Sequence, residues 1–500
     1  MSSNQLAFLI IFLLFICVMI GVGIIVSRTV QDGEDFLMGG RNLSPFLLIG
    51  TTLATLVGTG SSMGAVQFSF TNGWGGALYG IGSALGIFLL VVLFADVRKF
   101  KFMTFSEELS YYYGANKFIK GATSILLFVA SIGWLGAHII GGSLYLSWVT
   151  GLNPVISKII VGLGFTIFTI IGGYMTVVIT DVILGIILFA GFLLLTILSL
   201  VEIGGFSGLS QQLPSDMTSL FGYEQMGALP AISLAIVTAV GVMATPSYRH
   251  RIYSGKNIDT VKKSFYITGI LIALFSVFPA IAGMSAKILN PNIDDGFAFP
   301  YLATEVFPLW IGAIILIAGL SATLSSGSSD YIVGVTILLR DVYQVFTGKV
   351  PEKEKMVLYS RVSLIAILIF ALILTLGATN IIDYISNFIS TVMSGLLVAA
   401  LLGKFWGRAN WQGGLASIIG GSIISFIIML NDSLSSFWGN PIIPSILGAL
   451  VLGVIVSLIT PASTVSKEEA LNILTKERAK MDEGTIEDSL GKRNKKQRFS

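Results

Sequence analysis

Leu320-Ser-Ala-Thr-Leu-Ser-Ser-Gly-Ser-Ser-Asp330 sets five serines, a threonine and a carboxylate into an apolar run that spans roughly residues 309–339. A run of about 20 apolar residues is what a helix needs to cross a bilayer core. Polar side chains are costly there, and an ionisable one marks a candidate functional site by default. Ser321, Ser325 and Ser329 recur at four-residue steps and Ser328 lies three beyond Ser325, so they share one side of a helix. Hydroxyls on one stripe suit a hard cation such as Na+, by extension from the oxygen preference of Ca2+ and Mg2+. The same serines would also serve as helix glue, bonding a neighbour or a carbonyl one turn back.

Runs of this kind recur from end to end. Hydrophobic residues make up 54% of the 500 residues and charged residues 11%, against about 25% charged in an ordinary soluble domain. The composition predicts an all-α polytopic membrane protein whose surroundings are the lipid bilayer. It gives no sign of nucleic-acid binding or of an obligate protein partner. The single cysteine, Cys17, cannot form an internal disulfide, and no Cys/His cluster is spaced for zinc or iron. The run at 6–26 has no basic residue before it and meets Arg28 after it, the reverse of a signal peptide, so it reads as a retained helix with its N-terminus outside.

Thirteen spans are expected, near 5–27, 46–70, 75–97, 121–148, 154–174, 176–203, 229–248, 264–288, 309–339, 358–378, 382–403, 411–430 and 441–460. Threading them from an outer N-terminus puts the C-terminus inside. It also puts every Lys and Arg except Lys158 and Lys287 on the inner side, with Arg249 and Arg251 assigned to an inner loop. A split this lopsided is the pattern of the positive-inside rule. The tail beyond Pro461 reads as a solvated helix followed by a basic end, Lys492–Arg498, which could meet anionic lipid.

Two spans carry the marks of broken helices. In the second, glycines at 58, 60 and 64 sit among Thr51, Thr52, Thr55, Thr59, Ser61 and Ser62; the seventh breaks at Gly241 and Thr245-Pro246. Backbone unwinds at membrane depth only where protein or a water-filled cavity satisfies it. Gly- or Pro-interrupted spans in corresponding halves point to a transporter binding site, and a separation of five spans is what a five-plus-five inverted repeat requires. Close packing through small residues is the competing reading of the second span. Asp181 enters an apolar run and needs a cation, a basic residue or inner-face water beside it. His138 is the only histidine inside an expected span, placed to touch solute, to relay protons or to bond between helices.

Four motifs in order give the chain a resemblance to the sodium:solute symporter family. They are Asp35-Phe-Leu-Met-Gly-Gly-Arg-Asn-Leu-Ser44, Gly172-Gly-Tyr174 through Thr180-Asp181, Ala322-x-x-Ser-Ser326 with Arg340-Asp-Val-Tyr343, and Leu402-Gly-Lys-Phe-Trp-Gly-Arg-Ala-Asn-Trp-Gln-Gly-Gly414. The resemblance implies a leucine-transporter-type core of five-plus-five helices over residues 45–406. Residues 1–44 would add an extra helix and loop, 407–460 two further spans, and 461–500 a cytoplasmic tail. It implies Na+-coupled import of a small organic solute across the plasma (inner) membrane. Its shared ion site falls here on Ala54, Val57, Ala322, Ser325 and Ser326. Members similar to the sialic acid transporters hold a second Na+, matched here by Asp181, Ser328 and Ser329, so one or two ions are expected. Solute is expected near Gly58, Ser61 and His138. Ser61 stands where sodium–galactose transporters carry a glutamine, and Leu56 where proline transporters carry an aspartate, so neither sugar nor proline is supported. A proton-coupled carrier using His138 and Asp181 is the nearest alternative, and a channel a remote one. No phosphate-binding loop, paired-His motif or nucleophile–base constellation argues for an enzyme.

Overall fold

Helix is the one element that closes all its backbone hydrogen bonds within a single crossing of hydrocarbon. The computed structural model, which describes residues 3–27, 41–348, 351 and 353–479, is correspondingly helical. Among those residues the exceptions are turns and a single parallel bridge between Leu43 and Gly255. Arg28, residues 35–40 of the first motif, Lys349 and the basic end at 492–498 lie outside the described residues.

The first helix, α1 (Ser3–Ser27), is followed by α2 (Pro45–Leu56), α3 (Ala65–Asn72), α4 (Ala77–Phe94), α5 (Phe105–Tyr112), α6 (Lys117–Thr150) and α7 (Pro154–Glu202). Then come α8 (Ala228–Ala244), α9 (Pro246–Ser254), α10 (Ile258–Phe275), α11 (Val277–Leu289) and α12 (Leu309–Ile337). The chain continues through α13 (Lys353–Thr375), α14 (Ile381–Phe388), α15 (Ser394–Phe405), α16 (Trp411–Met429), α17 (Ile442–Ile459) and α18 (467–479). Among the described residues ten helices are long and apolar enough to cross a membrane, and the pair α8 and α9, bent by 45°, makes eleven. Within α7 the stretches expected as two spans at 154–174 and 176–203 are two helices that meet at a break at Gly173, whose φ of 65° is a conformation glycine tolerates and other residues resist.

Local chemistry sets the helix ends that matter. Ser44 caps α2 and Pro45 opens it, where a missing N–H costs nothing. Pro246 opens α9 in the same way, directly after the C-terminus of α8. Between α2 and α3 the chain leaves helical geometry at Val57 and re-enters through a π-turn at Gly60–Gly64. Around these breaks, α12 packs on α6 and α7, and α8 on α4. The α4–α8 contact is close because a side chain at Gly82 or Gly86 would run into the Ala235 or Ala239 carbonyl.

One end of the bundle gathers the basic residues, and there the structure corrects an expectation. Arg249 and Arg251 are not in a loop: α9 continues to Ser254 and buries both completely. Arg249 pairs with Glu108 of α5 at 2.8 Å and lies 3.6 Å from the Phe94 ring centroid. Tyr112 and Tyr253 donate to the same carboxylate at 2.8 and 2.5 Å. A buried cation held by a carboxylate partner is tolerable in a protein interior, whereas a lone one is not. Below this layer α18 lies across the face, with Ala470 and Leu474 buried and Arg478 bound to Glu107 at 3.0 Å.

Candidate ion and solute site at two helix breaks

A helix that stops inside the bundle strands its last carbonyls. At the end of α2 these are taken by hydroxyls. Ser325 donates to the Ala54 carbonyl at 3.0 Å and stands 3.3 Å from that of Ala322. Ser326 reaches the Thr55 carbonyl at 3.1 Å and that of Ala54 at 3.3 Å. Gly58 lets α12 come this close, since a Cβ there would strike the Ser326 hydroxyl. The cluster therefore unites Ala54, Ala322, Ser325 and Ser326, four of the five residues expected to hold Na+; Val57, the fifth, is the C-cap of α2. Its donors are all oxygen, neutral and buried, a set that fits a hard monovalent cation and no soft metal. Among the described residues no group of three or more His, Cys, Asp or Glu could hold a metal ion.

One turn further along α12 the polar chemistry changes. Asp181 of α7 accepts from Thr51 at 2.6 Å and from Ser329 at 3.2 Å. Nη2 of Arg251 lies 3.3 Å from the same carboxylate oxygen, 2.9 Å from Ser329, 2.8 Å from Thr51 and 2.5 Å from Thr55. The basic residue that Asp181 required is thus Arg251, carried on α9. Of the residues expected around a second ion, Asp181 and Ser329 come together. Ser328 does not join them, because its hydroxyl donates back to the Ser325 carbonyl at 3.1 Å.

Gly58, Ser61 and His138, expected around solute, line a single cleft between the two breaks. Ser61 donates to the Leu56 carbonyl at 2.5 Å and so also caps the broken helix. The His138 ring spans the cleft wall, with Nδ1 2.8 Å from the Thr59 hydroxyl and Nε2 3.1 Å from Asp330. The other oxygen of Asp330 accepts from Ser247, in the first turn of α9. Tyr79, Trp134 and Tyr248 supply aromatic wall. The sequence reading gave Asp330 no place in the site, although it stands one helical turn beyond Ser326 and the four-residue step could have found it. No signal marked Arg251, whose partner lies 70 residues away.

The model for the sodium:solute symporter family matches residues 36–421. A sodium/pantothenate symporter of Haemophilus influenzae is 27% identical over 85% of this chain and 90% of its own length. An osmoregulated proline transporter of Bacillus subtilis is 21% identical over 93% and 97%. Among solved structures, a Na+-coupled sialic acid symporter in a substrate-bound outward-open state superposes with a TM-score of 0.76 at 20% identity, over 92% of this chain and 99% of that one. The nucleobase–cation symporter Mhp1 gives 0.59 at 13% identity.

Proposed function

The chain belongs to the sodium:solute symporter family, and from that premise we propose that it imports a small organic solute together with Na+ across the plasma membrane by alternating access. The observation that carries this reading is the shared wall of two sites. Ser326 bonds carbonyls of the oxygen cluster and also lines the cleft, as does Thr55. A cation drawn to the cluster fixes the break in α2 against α12, and this break forms one side of the solute cleft. Ion binding and solute binding then favour the same arrangement, which is what coupling requires. Our reading takes thirteen spans, an outer N-terminus and an inner C-terminus, with a five-plus-five core at 45–406. The basic face is cytoplasmic, as the charge distribution supports. Opening to the cytoplasm requires the Arg249–Glu108 layer to part. One Na+ is proposed at Ala54, Val57, Ala322, Ser325 and Ser326, with Arg251 serving as the cation at Asp181. Each charge carried inward releases roughly 2.3 kcal/mol per 100 mV.

The experiment is thermal stability of the purified protein in Na+ against K+ at equal ionic strength, for wild type and Ser325→Ala. A ligand of the folded state alone stabilises by about 2.7 kcal/mol at a hundred times its Kd. A Na+-specific rise that Ser325→Ala abolishes is expected. A wild type indifferent to Na+ would overturn the ion site and turn attention to proton coupling.

A further inference from the structure

The charge of the cleft says what kind of solute it takes. Among the described residues that line it, Asp330 is the only acid, and neither Lys nor Arg is present. Arg251, the nearest buried cation to this wall, is committed to Asp181. Every contact of Asp330 is with a group that needs no positive charge. Ser247 donates a hydroxyl to one oxygen. His138 needs only the single proton on Nε2 to donate to the other, because the Thr59 hydroxyl can then donate into Nδ1. Each carboxylate oxygen thus accepts one of these hydrogen bonds and has lone-pair capacity to spare.

Position reinforces charge. The positive end of α9 is where a solute carboxylate would find its natural seat, and Asp330, bound to Ser247 in the first turn, already holds it. Two other helix ends at the cleft, those of α2 at Leu56 and of α8 beside Thr245, are C-terminal and carry negative partial charge, while the helix re-entered at Gly60 presents its N-terminal end beside Thr59 and Ser61. Tyr79, Trp134 and Tyr248 line the cleft as well, and aromatic rings are partners for cations. Asp330 and the two C-terminal helix ends draw in an ammonium group and repel a carboxylate.

We propose that the solute carries a cationic nitrogen, an ammonium or guanidinium group, that seats on Asp330, with His138 as the positioning residue that aims the carboxylate. This rests on reading the cleft as the solute site. The test is a binding panel on the purified protein, read by thermal shift in Na+ and repeated in K+. The cationic probes are choline, ethanolamine and agmatine; the anionic ones are 3,3-dimethylbutyrate, lactate and pantothenate; 3,3-dimethylbutanol is the uncharged twin of choline. At least one cationic probe should bind and no anionic probe should. Asp330→Asn should weaken that cation at least tenfold, while Asp330→Glu keeps most of the affinity. A carboxylate without a cationic nitrogen that binds, a cationic probe indifferent to Asp330→Asn, or silence from all three cations would each overturn the proposal. The panel on wild type decides by itself if Asp330→Asn does not fold. The Na+-over-K+ shift without any probe reports separately on the ion site, so failure of the symport reading and failure of this inference are told apart.

Discussion

Two polar clusters sit one turn apart on α12 and treat positive charge in opposite ways. At Ser325 and Ser326 the oxygens are those of hydroxyls and stranded carbonyls, neutral throughout. At Ser329 they include the carboxylate of Asp181, and the chain supplies its own cation, Arg251. At Asp181 a cation tethered to the fold relieves the carboxylate permanently. Partial charges are cheap to hold unpaired, and their hydroxyls can bond the carbonyls until a mobile ion arrives. The ion site we propose is therefore built from dipoles, beside a charged pair that is closed within the fold.

The contrast can be broken most severely at Asp181. Asp181→Ala leaves the Arg251 guanidinium buried and uncompensated, which should cost about 3–5 kcal/mol of stability. Adding Arg251→Met should recover most of it, and denaturant unfolding of the two variants measures both. If the single change costs less than about 1 kcal/mol, the pair is not structural and the contrast falls. Arg251→Gln sharpens it with a smaller effect. With the tethered cation gone, Asp181 should recruit Na+, adding about 1.4 kcal/mol to the Na+-over-K+ stabilisation at ten times the new Kd. An unchanged Na+ response would show that the position does not accept a mobile ion. Ser328→Ala should do least, within about 0.5 kcal/mol, with the Na+ response intact, because that hydroxyl serves only the Ser325 carbonyl. A lost response would return Ser328 to the ion site.

Much of this was legible in sequence because membrane burial makes glycine, proline and hydroxyl placement conspicuous. The breaks at Gly58–Gly60 and Thr245-Pro246 announce themselves through residues that disfavour helix, and the serine stripe follows from helical period. Arg249 and Arg251 were misread for a physical reason. Next to an apolar span, a cluster of cations ordinarily marks the water boundary, and only the fold brings Glu108 and Asp181, 141 and 70 residues away, to cancel them. Asp330 escaped for a related reason: it was visible as the end of the polar stretch, but its partner His138 lies 192 residues earlier.

Translation gives the docked α18 a meaning in time. Arg478 bonds the carbonyls of Phe100 and Lys101, the latter 377 residues upstream. At about 5–20 residues per second, a ribosome makes Lys101 on the order of tens of seconds before the residue that covers it. The basic face thus waits uncovered through most of synthesis, and its closure marks a chain whose last long apolar helix, α17, has already been made.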